Sequence, residues 1–206
     1  ERDHATDGAE CLHCAGGPTV GEFIRPSDGK MPKTLGLIQC VGSRDKRYNE
    51  YCSGFCCMYT IKNAILLKWL YPEIEITIFR IDIRTPGKTY EEFYERARQT
   101  GIRFVQGRPA EIREDPVTKN LIVRADNASL GKPMEYEFEM VGLANAVIPT
   151  EGAKDLARIL TVPTDTHGFF MESHPKLKPI DTPTEGVYLA GAAQGPKDIP
   201  QSVGQG

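Results

Sequence analysis

The sequence predicts an α/β protein built on a doubly wound parallel sheet that carries an antiparallel strand insertion. Three observations lead there. From Leu35 to Gln106, short apolar runs alternate with amphipathic stretches, the β-α-β-α-β order of a right-handed parallel unit. From Ala110 to Phe138 the pattern changes to short segments separated by turns, as in antiparallel strands. Beyond a further helix, "GVYLAGAA" (Gly186–Ala193) is expected as a last buried strand.

Residues 1–33 are rich in Gly, Pro, Asp and His and lack periodicity, which reads as loop or linker. Leu35–Cys40 has the apolar profile of a buried parallel strand. Cys56–Tyr71 is expected as a helix with Ile61, Ile65, Leu66 and Trp69 on one face, ended by Pro72. Glu75–Ile83 is an Ile-rich strand and Arg84–Lys88 a turn. Tyr90–Thr100 is an amphipathic helix with Phe93, Tyr94 and Ala97 inward and Gly101 as its natural stop. Ile102–Gln106 supplies a third strand. Ala110–Arg113, Asn120–Ala125 and Met134–Phe138 form the antiparallel insertion, and Met140–Ala144 returns to the parallel sheet. Gly152–Leu160 is a short helix, and "GPKDIP" leads into another. No internal repeat is visible.

Composition sets bounds. The chain has 206 residues, 40% hydrophobic and 26% charged, enough for a globular core in one large domain or two small ones. A net charge of −3 and a pI near 5.9 offer no basic stripe for nucleic acid. The longest apolar run, Ala64–Leu70, is too short for a membrane span and is interrupted by Lys68. Glu1–Gly17 is polar and does not read as a signal peptide. Both ends have the look of cuts, so a fragment of a longer chain is expected.

The six cysteines are clustered rather than spread, which favours a metal or redox site in a cytoplasmic protein over secretory disulfides. Cys40, Cys52, Cys56 and Cys57 gather where a strand runs into a helix. Dinucleotide-binding units put G-x-G-x-x-G in that turn; "CVGSRDKRYNEYCSGFCC" is longer and lacks the glycine spacing, so a nicotinamide site there is not expected. Four soft ligands suit an iron–sulfur cubane, one thiolate per iron, beside a helix N-terminus that favours its negative charge. Arg44, Lys46 and Arg47 add positive charge nearby. A structural zinc site, a redox-active disulfide among Cys52, Cys56 and Cys57, and inert buried thiols remain open at this point. The "CLHC" pair, Cys11 and Cys14 with His13 or His4 nearby, is half of a zinc site at most.

From Pro26 to Gly206 the chain resembles the A-type component of heterodisulfide reductase (HdrA) and its bacterial relatives in sulfur oxidation and quinone-linked electron transfer. The likeness is carried by "RPSDGK", "IQCVGSRD", "YCSGFCCM", "EEFYERARQTGIRFVQGRPAEI", "HPKLKPIDTP" and "LAGAAQGPKDIPQSV". The resemblance implies a thioredoxin-reductase-like flavoprotein fold with two dinucleotide-binding domains. Residues 34–150 would be the nucleotide-binding-like domain that carries a [4Fe–4S] cluster, and 151–206 a return to an FAD domain. It implies Cys40, Cys52, Cys56 and Cys57 as cluster ligands. It places Gly191, Ala192, Gln194, Gly195, Lys197, Asp198 and Ile199 against FAD, with the backbone N–H groups of the last helix facing flavin oxygens and His174 at the flavin edge. The flavin-domain G-x-G-x-x-G does not occur in this chain, so the stretch alone is not expected to hold FAD.

The activity so implied is electron transfer between FAD and the cluster, with flavin-based bifurcation in the methanogen systems. No side chain is expected to act as an acid–base catalyst. The heterodisulfide would be reduced on another subunit, so the implied partners are B- and C-like subunits around a homodimer core. The alternative is a flavin-linked thiol–disulfide oxidoreductase using Cys52, Cys56 or Cys57.

Overall fold

A computed structural model describes residues 19–25 and 27–206. The chain divides into two compact units. One takes in the described residues up to Gly42 together with Cys56–Asn145; the other is Ser43–Phe55 with Ala146–Gly206. The segment with Cys52 therefore goes with the C-terminal unit, and the division falls at Asn145.

The first unit is built on a four-stranded parallel sheet. Its strands are β1 (Thr34–Val41), β2 (Glu75–Arg80), β3 (Arg103–Gln106) and β7 (Met140–Asn145), in the order β3-β2-β1-β7. The order reverses between β1 and β7, and a crevice at the carboxyl end of such a reversal is where ligands of open α/β sheets bind. Helices α1 (Cys56–Leu70) and α2 (Tyr90–Gln99) supply the crossovers. On one face, Leu35, Leu37, Ile76 and Ile78 of the sheet meet Ile61, Ala64, Leu67 and Ala97 of the helices. Phe23 from the N-terminal loop joins this core and is 1% exposed, so the loop reading of that region misses one packing residue.

The other face is covered by an antiparallel sheet of β4 (Pro109–Glu114), β5 (Leu121–Asn127) and β6 (Lys132–Phe138). Phe79 stands edge-on between Tyr136 and Phe138, with ring centroids 5.1 and 5.8 Å away. Such pairs add about 0.5–1.5 kcal/mol beyond area burial. Gly36 lets β1 pass beneath Phe138, because a Cβ there would meet the ring at 2.8 Å. The α/β class and the insertion are as the sequence predicts.

Three local expectations are corrected. Leu66 and Trp69 of α1 are exposed, Trp69 at 76%. The buried side of α1 is lined by Thr60, Ala64 and Leu67, and at about 100° per residue Leu66 and Trp69 fall on the far side. Small residues fill the face toward the sheet, so the largest side chains misreport it. The strand expected over Glu75–Ile83 ends at Arg80, where β3 also ends its pairing.

Gly186–Ala193 is not a strand in the second unit. It holds one isolated bridge, Asp181 with Tyr188, and closes in a 3-10 turn over Gly191–Ala193. Gly186 and Gly191 both have positive φ, and among the described residues no strand flanks the run to form a ladder. Leu189 is buried on Ala153 and Ala157 of α3 (Ala153–Leu160), Val162 and Phe170, and Val187 packs half-buried against the same cluster. The chain's last helix is α4 (Ile199–Gln205).

Candidate functional site

Cys40 lies one residue before the end of β1 and is 4% exposed. Its φ is 59°, a left-handed value that costs a non-glycine residue on the order of 1–3 kcal/mol. The register against β7 shifts between Ile38 and Val41, so the strand's alternation is interrupted at the thiol. Arg108 Nη2 donates to the Cys40 carbonyl oxygen at 3.3 Å.

Cys56 and Cys57 are the first two residues of α1, 4% and 7% exposed. The turn before them uses Gly54 at φ 79°. The Cys57 thiol donates to Gln39 Oε1 at 3.6 Å, and the Asp82 carbonyl is a second acceptor in reach, 3.9 Å from the sulfur, so the thiol is aimed back at the sheet.

Cys52 is half-buried, and its sulfur accepts from the Gly54 N–H at 3.4 Å. Its two neighbours in sequence are anchored within the second unit. Tyr51 donates its phenol O–H to the Val147 carbonyl at 2.6 Å, and its ring stands edge-on to His167 and Phe169. Burial, with the Asp165 charge second, pushes the Tyr51 pKa up. Ser53 is fully buried; its Oγ accepts from Val147 N at 2.9 Å and lies 3.1 Å from Ser43 Oγ.

All four cysteines are thiols. Among the described residues no three Cys, His, Asp or Glu side chains converge as a metal site. The donor set suits an iron–sulfur cluster by its chemistry: soft sulfur ligands, three of them buried at one strand–helix junction. Of the nearby cations, Arg47 is taken up by Asp45 at 3.0 Å, which raises its pKa further. Cys11, Cys14, His4 and His13 lie outside the described residues.

The residues expected to meet a flavin lie in the second unit and form a network of their own. The Gln194 amide donates to Glu172 Oε2 at 2.8 Å and to the Pro179 carbonyl at 3.1 Å. Its oxygen accepts from Lys197 Nζ at 2.9 Å and from Gln205 Nε2. Lys197 also donates to the Gly191 carbonyl, and Gln205 Oε1 accepts from Gly191 N. Burial lowers the Lys197 pKa, opposed by the charge of Glu172; the Gln194 hydrogen bond, and after it the charge of Lys197, lowers that of Glu172. Asp198 caps α4 in a reciprocal pair with Gln201, so its carboxylate occupies the helix N-terminus.

Ala192 sits in the 3-10 turn, Gly195 follows at a positive φ of 158°, and Ile199 is 79% exposed. His174 is exposed, and its Nδ1 accepts from Lys176 N and Leu177 N, which closes its own loop.

Sequence reasoning missed Gln39, Tyr51, Ser53, Arg108 and Glu172. Only Gln39 left a signal, as a polar residue inside the apolar run "LGLIQCV".

No family model matches the chain. Among curated proteins it is 55% identical over 199 residues to the second iron-sulfur HdrA of the CoB–CoM heterodisulfide reductase of Methanopyrus kandleri, covering 96% of this chain and 30% of that protein. It is 51% identical over 193 residues to the HdrA of the H(2):CoB-CoM heterodisulfide,ferredoxin reductase of Methanothermobacter thermautotrophicus, covering 93% and 29%. It is 45% identical over 216 residues to an HdrA-like protein of Archaeoglobus profundus, covering 95% and 31%.

Among solved structures it matches thioredoxin reductase of Lactococcus lactis, with TM-score 0.55 and 20% identity over 96% of this chain and 56% of that one. It also matches the T. acidophilum thioredoxin reductase, with TM-score 0.51 and 17% identity over 84% and 49%. These two matches show the fold: α/β, of the thioredoxin reductase type. The chain spans about 30% of the length of the curated relatives it matches, and over that stretch it belongs to the HdrA family of heterodisulfide reductase components.

Proposed function

We propose that this stretch is the cluster-bearing part of an electron-transfer flavoprotein, an oxidoreductase component of a heterodisulfide reductase-like complex. Cys40, Cys52, Cys56 and Cys57 would hold a [4Fe–4S] cluster. Gly191, Ala192, Gln194, Gly195, Lys197, Asp198 and Ile199 belong to the side from which FAD is approached. When bound, the cluster supplies one-electron and FAD two-electron transfer. The chain's own residues bury the sulfurs, orient them and set their electrostatics. The proposed setting is cytoplasmic, with B- and C-like subunits on a homodimer core; among the described residues no helix is long and apolar enough to cross a membrane.

The observation that carries the reading is the backbone at Cys40. A buried cysteine held at positive φ at the end of β1, beside the point where the sheet order reverses, is strain of the kind that collects at functional sites, and two further buried cysteines open α1. The M. kandleri relative's name, which calls it an iron-sulfur protein, is in keeping with it.

The test is anaerobic purification of the full-length protein that contains this stretch, with iron and acid-labile sulfide assays. Iron and sulfide in the amount of a cubane, lowered by Ser at each of the four positions, is the expected result. An iron-free protein that forms a disulfide among Cys52, Cys56 and Cys57 would instead establish the thiol–disulfide alternative.

A further inference from the structure

Gln39 is buried on β1, next to Cys40, at 2% exposure. Its two ends are unequally served. Oε1 accepts the Cys57 thiol hydrogen at 3.6 Å, and Nε2 is buried with no hydrogen-bond partner. Buried donors without partners are rare and call for an explanation.

A cysteine sulfur that serves as a metal ligand carries no proton, so it accepts hydrogen bonds and does not donate them. A carbonyl oxygen facing it is then repulsive. The Asp82 carbonyl, 3.9 Å from Cys57 Sγ, can only accept. Gln39 has both kinds of end, and a half-turn about its terminal bond exchanges them with no movement of β1.

We propose that Gln39 is the hydrogen-bond donor to the Cys57 sulfur once that sulfur is an iron ligand, and so a positioning residue that raises the reduction potential of the centre. The inference rests on the ligand role proposed for Cys57 above. Hydrogen bonds to ligand sulfurs are one of the levers that set cluster potentials, because they stabilise the more negative, reduced state. Burial strengthens the bond, since no water competes for the amide. The idle Nε2 is thus a donor kept for the loaded state.

The experiment uses the full-length protein, prepared anaerobically and titrated to its midpoint potential by electron paramagnetic resonance of the reduced centre. Gln39→Met, which keeps chain length and removes the donor, is expected to retain wild-type iron and to shift the midpoint downward. Gln39→Leu serves if the Met variant does not fold, and the same shift is expected. Wild-type iron with an unchanged midpoint in the folded variant overturns the proposal. Cys57→Ser separates the two layers. Loss of iron there with no shift in the Gln39 variant sinks only the role of Gln39. Wild-type iron and signal in Cys57→Ser sinks the ligand reading, and the inference with it.

Discussion

Arg108 Nη2 holds the carbonyl oxygen of Cys40 at 3.3 Å, joining two positions 68 residues apart in sequence. The contact pins the peptide at which β1 leaves its regular geometry. Arg108 follows β3 and leads into the antiparallel insertion, so the insertion supplies a brace for the thiol-bearing strand end. A half-buried hydrogen bond from a charged donor contributes roughly 1.5–3 kcal/mol at most. Arg108→Leu is expected to lower stability by about 1 kcal/mol, toward the low end because the group is partly solvated. It should also reduce iron retained by the full-length protein, while Arg108→Lys should restore only part. Urea denaturation and iron assay check both; unchanged values would leave the brace without a role.

The positive φ of Cys40 makes a separable prediction. Any L-residue pays for that conformation, and glycine does not. In metal-free protein, Cys40→Gly should be about 1 kcal/mol more stable than Cys40→Ala, less whatever the glycine adds to the entropy of the unfolded chain. Both should lose iron equally. If Gly and Ala variants denature alike, the backbone at Cys40 is unstrained and the main structural support for a site there goes.

The fold was legible where one local signal dominates. β1 and α1 follow from an apolar run and a proline stop, and β4 to β6 from short segments separated by turns. What was hidden depends on partners far away. Nothing near Arg108 announces Cys40, and nothing near Tyr51 announces Val147, 96 residues on. Trp69 misled because it shares a helix face with Ile61 and Ile65, whereas Thr60 and Ala64 fill the tight helix–sheet contact. "GVYLAGAA" misled because an apolar run forms a strand only beside another strand. Spacing marks the four thiols as an expected set, but it carries nothing about the geometry of each, Cys40's above all.

Tyr51 should make the second unit sensitive to alkali. Its folded pKa is raised, chiefly by burial, so the neutral phenol is the form the fold favours. The contribution is whole below the ordinary tyrosine value and is lost as pH climbs through the raised one. Tyr51→Phe is expected to cost about 1 kcal/mol at neutral pH, by loss of the bond to Val147. It should also flatten the decline of stability above about pH 10. Ser53→Ala, which strips the partner from Val147 N, should cost about 1–3 kcal/mol with no such pH dependence. Thermal melts from neutral to alkaline pH read both, and parallel curves for wild type and Tyr51→Phe would refute the phenol's part.

Glu172 acts at the other end of the scale. Its pKa is lowered, first by the Gln194 amide, then by its own backbone N–H, and last by the Lys197 charge. A carboxylate lowered in the folded state stabilises above its ordinary range and ceases to do so as pH falls through the lowered value. Lys197 has the opposite bias: burial lowers its pKa, and Glu172 is what keeps the charge tolerable there. Glu172→Gln should therefore do two things at once. It removes part of the acid-side loss of stability, and it leaves Lys197 buried with less to answer its charge, so its amine should deprotonate at lower pH than in the wild type. Chemical shifts of the Lys197 side chain against pH would measure the second effect. A titration of Lys197 that does not move in Glu172→Gln would mean that the two charges do not feel each other, and that the hydrogen bonds of Gln194, Lys197 and Gln205 hold this corner together without them.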